Sequence, residues 1–150
     1  MAKKTSPPAL IGVIHLPPLP GAPGAARFGA GEALARAGER AIQEAVALSR
    51  AGFEGLIVEN FGDAPFFRDR VGPETVSAMA ILAVAIKDSV RIPVGVNILR
   101  NAALDALAVA AVSGADFIRV NILSGVAATD QGLIETKAAE LLRERARLGT

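Results

Sequence analysis

The side chains able to do chemistry recur at equivalent places: each short run rich in Val and Ile ends in a polar residue. Ala9–His15 ends in His15, Gly55–Asn60 in Glu59 and Asn60, Pro93–Asn97 in Asn97, and Phe117–Asn121 in Asn121, with Arg119 two positions earlier. Asp63, Arg70, Arg100 and Asp130 follow in the connecting segments. Brought to one rim, this set offers a general acid or base (His15, Glu59) and amides that orient a ligand (Asn60, Asn97, Asn121). It also offers guanidinium groups, on Arg100 and Arg119, matched to carboxylate or phosphate.

A structural role is open to each of these residues. His15, the single histidine, can close its strand through a hydrogen bond instead of titrating in a reaction. Glu59 follows Leu-Ile-Val and needs a partner if it is buried. The asparagines can satisfy loop backbone. Arg119 lies between Ile118 and Val120 and points away from both, either into an enclosed interior or out toward the helices; its structural reading is an ion pair with Glu59 or an Asp. Asp130, just before Gln131-Gly132, can cap the last helix. Asp63 reads as a turn residue and Glu74 as a helix-start charge. Phe66-Phe67 forms either a site wall or packing over the mouth.

Several chemistries are excluded. The chain has no Cys, so disulfides, thiolate metal sites and a Cys nucleophile are out. Sixteen Lys+Arg against 15 Asp+Glu give a net charge of +1, and the only basic cluster is the MAKK start; a nucleic-acid platform is not expected. Gly29-Ala-Gly31 meets Leu34 where a dinucleotide fingerprint needs its third Gly, and Gly125–Gly132 lacks the Lys-Ser/Thr of a phosphate loop. No cofactor is implied; a hard cation such as magnesium would have to be held by Glu59, Asp130 and Asn97. Spanning a bilayer takes about 20 apolar residues, and the best stretch, Met79–Ile86, is cut by Lys87 and Asp88. Lys3 and Lys4 ahead of Ala9–Ile14 faintly resemble a leader, but His15-Leu-Pro-Pro stands where a cleavage site belongs, so a cytoplasmic protein is expected.

The elements that must position these residues alternate regularly. With 51% hydrophobic residues in 150, the chain can bury a core. The four Val/Ile runs are nearly continuous, as in parallel strands covered on both faces. Between and after them, Glu32–Ala51, Pro73–Ser89, Ala102–Ser113 and Gly132–Leu148 place apolar residues at helical spacing. Pro73 with Glu74 suits a first helical turn, and Gly52 and Gly114 suit helix ends. Gly52–Glu59 (GFEGLIVE) aligns without a gap on Gly114–Asn121 (GADFIRVN), which sets Glu59 and Asn121 at equivalent strand ends.

The pattern is (βα) repeated four times, an α/β fold of TIM-barrel type. Helix-to-strand links are short, whereas Leu16–Gly31, Phe61–Gly72 and Ile122–Gln131 are long, with only Ile98–Asn101 brief. The long loops therefore gather at the carboxyl edge of the sheet, where ligands bind in such folds. A full (βα)8 barrel takes about 250 residues, so this chain is expected to be its N-terminal half, a single truncated domain with Gly149 leading toward a fifth strand. If the half-barrel were the whole chain, its open edges and mean hydropathy of +0.40 would favour self-association.

Six strings in order carry a resemblance: His15–Gly21 (HLPPLPG), Val58–Phe66 (VENFGDAPF), Val71–Val76 (VGPETV), Pro93–Asn101 (PVGVNILRN), Phe117–Asn121 (FIRVN) and Thr129–Gly132 (TDQG). From Leu10 to the C-terminus the chain resembles the BtpA family, SgcQ-like proteins included. The resemblance implies a TIM-barrel fold. For one branch it implies a role in photosystem I biogenesis, peripheral to the thylakoid membrane; for the SgcQ-like branch it implies a place in sugar metabolism. By motif, the family's polar strand ends fall on His15, Glu59, Asn60, Asn97, Arg119, Asn121 and Asp130. Membrane-complex biogenesis is thus one expected function. The other is a small-molecule enzyme acting on a sugar or phosphorylated metabolite, with His15 or Glu59 as general acid/base and Arg119 or Arg100 holding an anionic substrate.

Overall fold

The structure, a computed structural model, describes residues 8–150; the Lys3–Lys4 start lies outside them. Four strands, β1 (Ile11–His15), β2 (Gly55–Glu59), β3 (Val94–Asn97) and β4 (Phe117–Ile118), form one sheet in the order β1-β2-β3-β4, with every pairing parallel. Helices α1 (Ala30–Arg50), α2 (Pro73–Ser89) and α3 (Ala103–Ser113) connect them. The expected strands and these three helices are present, with ends shifted by a few residues at most except at β4.

Packing follows from the alternation of side chains across the pleat. Ile14, Leu56, Val58, Val94 and Val96 point toward the helices and join one core with Ala37, Ala41, Ala45, Met79, Leu82, Ile86 and Val109. Burying each large aliphatic side chain completely contributes about 1.5–3 kcal/mol. Along α1 the buried residues are Ala33, Ala37, Ala41 and Ala45, four apart, so a smooth stripe lets the helix lie close. Gly114, at φ +68°, ends α3 in the left-handed conformation that a Cβ would disfavour.

The other face carries Val13, Ile57, Gly95 and Phe117 in one row across the four strands. Gly95 is required there: a Cβ would fall inside the Phe117 ring. One step nearer the carboxyl edge, the same register aligns His15, Glu59 and Asn97.

Two expectations are corrected. The first is the last helix, read as Gly132–Leu148. An antiparallel hairpin, β5 (Val126–Thr129) and β6 (Gly132–Glu135), occupies its start and half of the expected loop, and α4 covers only Ala138–Leu148. Asp130-Gln131 forms the two-residue turn, the Thr129 hydroxyl donates to the Gly132 carbonyl, and Gly132 takes φ +93°. Ile134 turns inward while Leu133 and Glu135 stay exposed, a period of two rather than 3.6. Asp130 therefore caps no helix. The Thr136 hydroxyl accepts the Ala138 N–H at the real start of α4.

The second is the equivalence of Glu59 with Asn121. Gly95 pairs with Phe117 and Val96 with Ile118, and the Arg119 N–H donates to the Val96 carbonyl at 2.9 Å. The next position beside Asn97 is thus Arg119. Asn121 lies two residues beyond, past the end of β4.

Candidate functional site

The carboxyl edge presents one polar layer. Glu59 closes β2, a strand buried along its whole length, and its carboxylate is 6% exposed. Such a group needs partners, and the neighbouring strands supply them. His15 Nε2 lies 3.1 Å from Glu59 Oε2, and Arg119 Nη1 lies 3.9 Å from Oε1. The His15 and Arg119 side chains are about half exposed, at 51% and 50%. A buried carboxylate is thus flanked by an imidazole and a guanidinium, both reachable from solvent.

Aromatic packing fixes the imidazole. The Phe61 ring stacks on His15 at 4.3 Å and 19°, and Phe66 tilts against Phe61 at 6.4 Å. Because Nε2 faces Glu59, the neutral ring that donates there carries its proton on Nε2 and leaves Nδ1 as the basic atom.

Asn97 lies between Glu59 and Arg119 in the layer. Its Nδ2 donates to the Arg119 carbonyl at 2.9 Å and to Asn121 Oδ1 at 3.1 Å. That fixes the amide's orientation and leaves Oδ1, buried, without a hydrogen-bond partner in the structure. Asn97 thus ties the layer to the segment that follows β4.

Other predicted residues have different duties. Asn60 is engaged at both ends of its amide: Oδ1 accepts the Leu99 N–H at 2.7 Å and Nδ2 donates to Asp63 at 3.1 Å. Asp63 in turn accepts the Leu19 N–H at 2.8 Å. This relay ties the loops after β1, β2 and β3 together, so Asn60 positions the rim. Burial pushes the Asp63 carboxyl above its ordinary value, against the pull of the Leu19 N–H and the Asn60 amide. Arg100 is half-buried in the loop after β3, where its N–H bonds the Phe67 carbonyl. Asp130, exposed at the hairpin tip, accepts from the Gln131 amide. Among the described residues no three His, Asp or Glu side chains gather to hold a metal ion.

Sequence reasoning missed the anchors of the rim. Asp105, buried on α3, accepts from Arg70 Nη2 at 2.8 Å, from Arg70 Nε at 3.1 Å and from the Val71 N–H at 3.0 Å. Asn101 brackets Ile122, accepting its N–H and donating to its carbonyl. The available signal was an acidic residue on the apolar helix face Ala103–Ala110, which requires a partner.

The BtpA family profile matches residues 6–150. The chain belongs to the BtpA family. It is 54% identical over 141 residues to the photosystem I biogenesis protein BtpA of Synechocystis, a match covering 94% of this chain and 47% of that protein. It is 49% identical over 139 residues to an uncharacterized protein of Pyrococcus horikoshii, covering 93% and 51%. An uncharacterized mitochondrial protein of Caenorhabditis elegans is 36% identical over 151 residues, covering 96% and 52%. The chain thus spans about half the length of these relatives. No solved structure matches it. Among the described residues of this BtpA-family chain, no helix is long and apolar enough to cross a membrane.

Proposed function

We propose that the His15–Glu59–Asn97–Arg119 layer is the acid–base and binding centre of an enzyme acting on a small hydroxylated or phosphorylated metabolite, sugars included. The observation that carries this reading is the 3.1 Å contact of half-exposed His15 with buried Glu59. A buried carboxylate facing the imidazole orients it and sets which nitrogen is left free, the arrangement a histidine base needs. Nδ1 of His15 takes the proton from the substrate, and Glu59 is the positioning partner. Arg119, assisted by Arg100, supplies charge for a carboxylate or phosphate. Asn97 positions Arg119 and Asn121 by donating to both. In this reading the chain is the N-terminal half of a (βα)8 barrel whose mouth holds the layer, and it works in the cytoplasm.

The test is calorimetric titration of the chain with a panel of sugars and phosphorylated sugars, followed by assay of each binder for turnover. R119M is expected to weaken binding at least tenfold. H15N is expected to keep binding while losing about 100-fold or more of turnover. Binding that ignores R119M and N97A, or turnover that survives H15N, overturns the reading.

A second reading, membrane-complex biogenesis as a peripheral protein, rests on the 54% identity to the Synechocystis photosystem I biogenesis protein. The relatives from an archaeon and a nematode are uncharacterized and carry no such name. Complementation of a cyanobacterial deletion strain separates the two: rescue of photosystem I levels by H15N supports biogenesis without catalysis, and loss of rescue supports a chemical requirement.

A further inference from the structure

The loops after β1, β2 and β3 and the first turn of α2 border an open cavity of about 230 Å3, with Glu74 exposed at its mouth, whose lining includes none of His15, Glu59, Asn97 or Arg119. Its apolar walls are built chiefly by Pro65, Phe66, Phe67 and Val71, and its polar groups include Asp63, Glu74 and Thr75; Lys, Arg and His are absent from the lining. Among the described residues neither Asp63 nor Glu74 has an ion-pair partner. Gly21 and Gly72 make the room for Glu74, since a Cβ at either would run into its carboxylate. Thr75, 8% exposed, lines the cavity with a hydroxyl that no described residue engages.

The chemistry of such a lining is one-sided. The two carboxylates and the free hydroxyl present acceptor atoms, and no cationic side chain lines the cavity. The two full negative charges outweigh the partial positive charge of the α2 N-terminus, and aromatic faces attract cations. An anion would be repelled, and a neutral alcohol would gain no Coulomb attraction. The volume is below the about 300–1,000 Å3 of pockets for drug-sized molecules, so the occupant has only a few carbons.

We propose that this cavity binds a small primary alkylammonium, with its N–H donors taken by Glu74, Asp63 and the Thr75 hydroxyl and its alkyl part against Phe66 and Pro65. The site is independent of the His15 layer, although Phe66 leads to His15 through Phe61. A cation beside Asp63 opposes the burial that disfavours its charged form. Occupancy is therefore expected to pull the Asp63 titration down.

The experiment titrates the whole 150-residue chain with n-propylammonium chloride at constant ionic strength, read by amide NMR, with 1-propanol as the neutral control. Expected are saturable shifts concentrated at Gly21, Asp63, Thr75 and Leu99, at least tenfold weaker binding in E74Q, several-fold weaker binding in T75V, and a lowered Asp63 midpoint in the saturated protein. T75V keeps shape and charge, so it reads the hydroxyl alone. The proposal is overturned if 1-propanol saturates the same amides at the same concentration, if E74Q and T75V both leave the dissociation constant unchanged, or if the shifts grow linearly and spread to surface carboxylates such as Glu39 and Glu144.

Discussion

His15 and Glu59 are register partners across the β1–β2 ladder, and their side chains meet with Nε2 3.1 Å from Oε2. One is half exposed and the other buried, so backbone pairing sets the imidazole beside the carboxylate at the solvent end of the sheet and the Phe61 ring orients it. In the neutral ring, a proton on Nε2 would face this carboxylate and leave Nδ1 unprotonated. Nitrogen NMR at a pH where the ring is neutral should report that tautomer in the wild type and a mixture in E59A. An Nδ1–H tautomer in the wild type would remove His15 Nδ1 as the base.

Gly95 and Phe117 form a second such pair. A methyl at position 95 meets the ring, and overpacking of this kind costs about 1–3 kcal/mol. G95A should lower unfolding free energy by that amount in urea titrations. In an F117A background, where the ring is gone, the same change should be close to neutral. Equal penalties in both backgrounds would show that the ring is not the obstacle.

The loop after β2 is anchored by Asp105. R70A leaves that buried carboxylate with the Val71 N–H alone, and losing charge-assisted hydrogen bonds costs about 1–3 kcal/mol. K87A, which removes a partner of the more exposed Asp116, should cost less than 1 kcal/mol, the range of about 0–1 kcal/mol found for surface pairs. Reversal of that order in thermal denaturation would contradict the anchoring role.

Two carboxylates give stability slopes of opposite sign. Burial would raise Asp116, but the Lys87 ammonium and the Val94 N–H outweigh it and hold the group below its ordinary 3.8. Its contribution is therefore complete above that value and is lost as pH falls through the lower folded one. Asp63, raised by burial, behaves oppositely: its contribution is complete below 3.8 and declines as pH rises through the higher folded value. The stability gap between wild type and D116N should hold at neutral pH and close in strong acid, and carboxyl NMR should place the Asp63 midpoint above that of Asp116. Midpoints in the reverse order would sink this account.

The sheet face away from the helices leaves Ile11 exposed and Val13 and Phe117 half-buried. Apolar surface of this kind drives association, so sedimentation of the 15.4 kDa chain at about 100 µM should show dimers or larger species. A sharp monomer boundary at that concentration would refute this.

Composition and pattern were sufficient for the four parallel strands, three of the helices and the polar residues that close β1, β2 and β3. Val/Ile runs, Pro73, Gly52 and Gly114 act locally, through propensity and backbone sterics, and need no distant partner. The hairpin at Val126–Glu135 escaped because Leu133, Ile134 and the leucines of α4 read as one helical stripe until Gly132 and Ile134 are seen to serve a period of two. The choice between Arg119 and Asn121 could not be made locally either. In a continuous strand the two would share one face, since residues two apart lie on the same side, so alternation could not decide between them. The choice depends on the pairing of β4 with β3, which sets Arg119 beside Asn97. The same holds for Asn60 and Asp105, whose roles come from residues far away in the chain. Local chemistry determined which side chains could form a site, and only the register of neighbouring strands decided which of them touch.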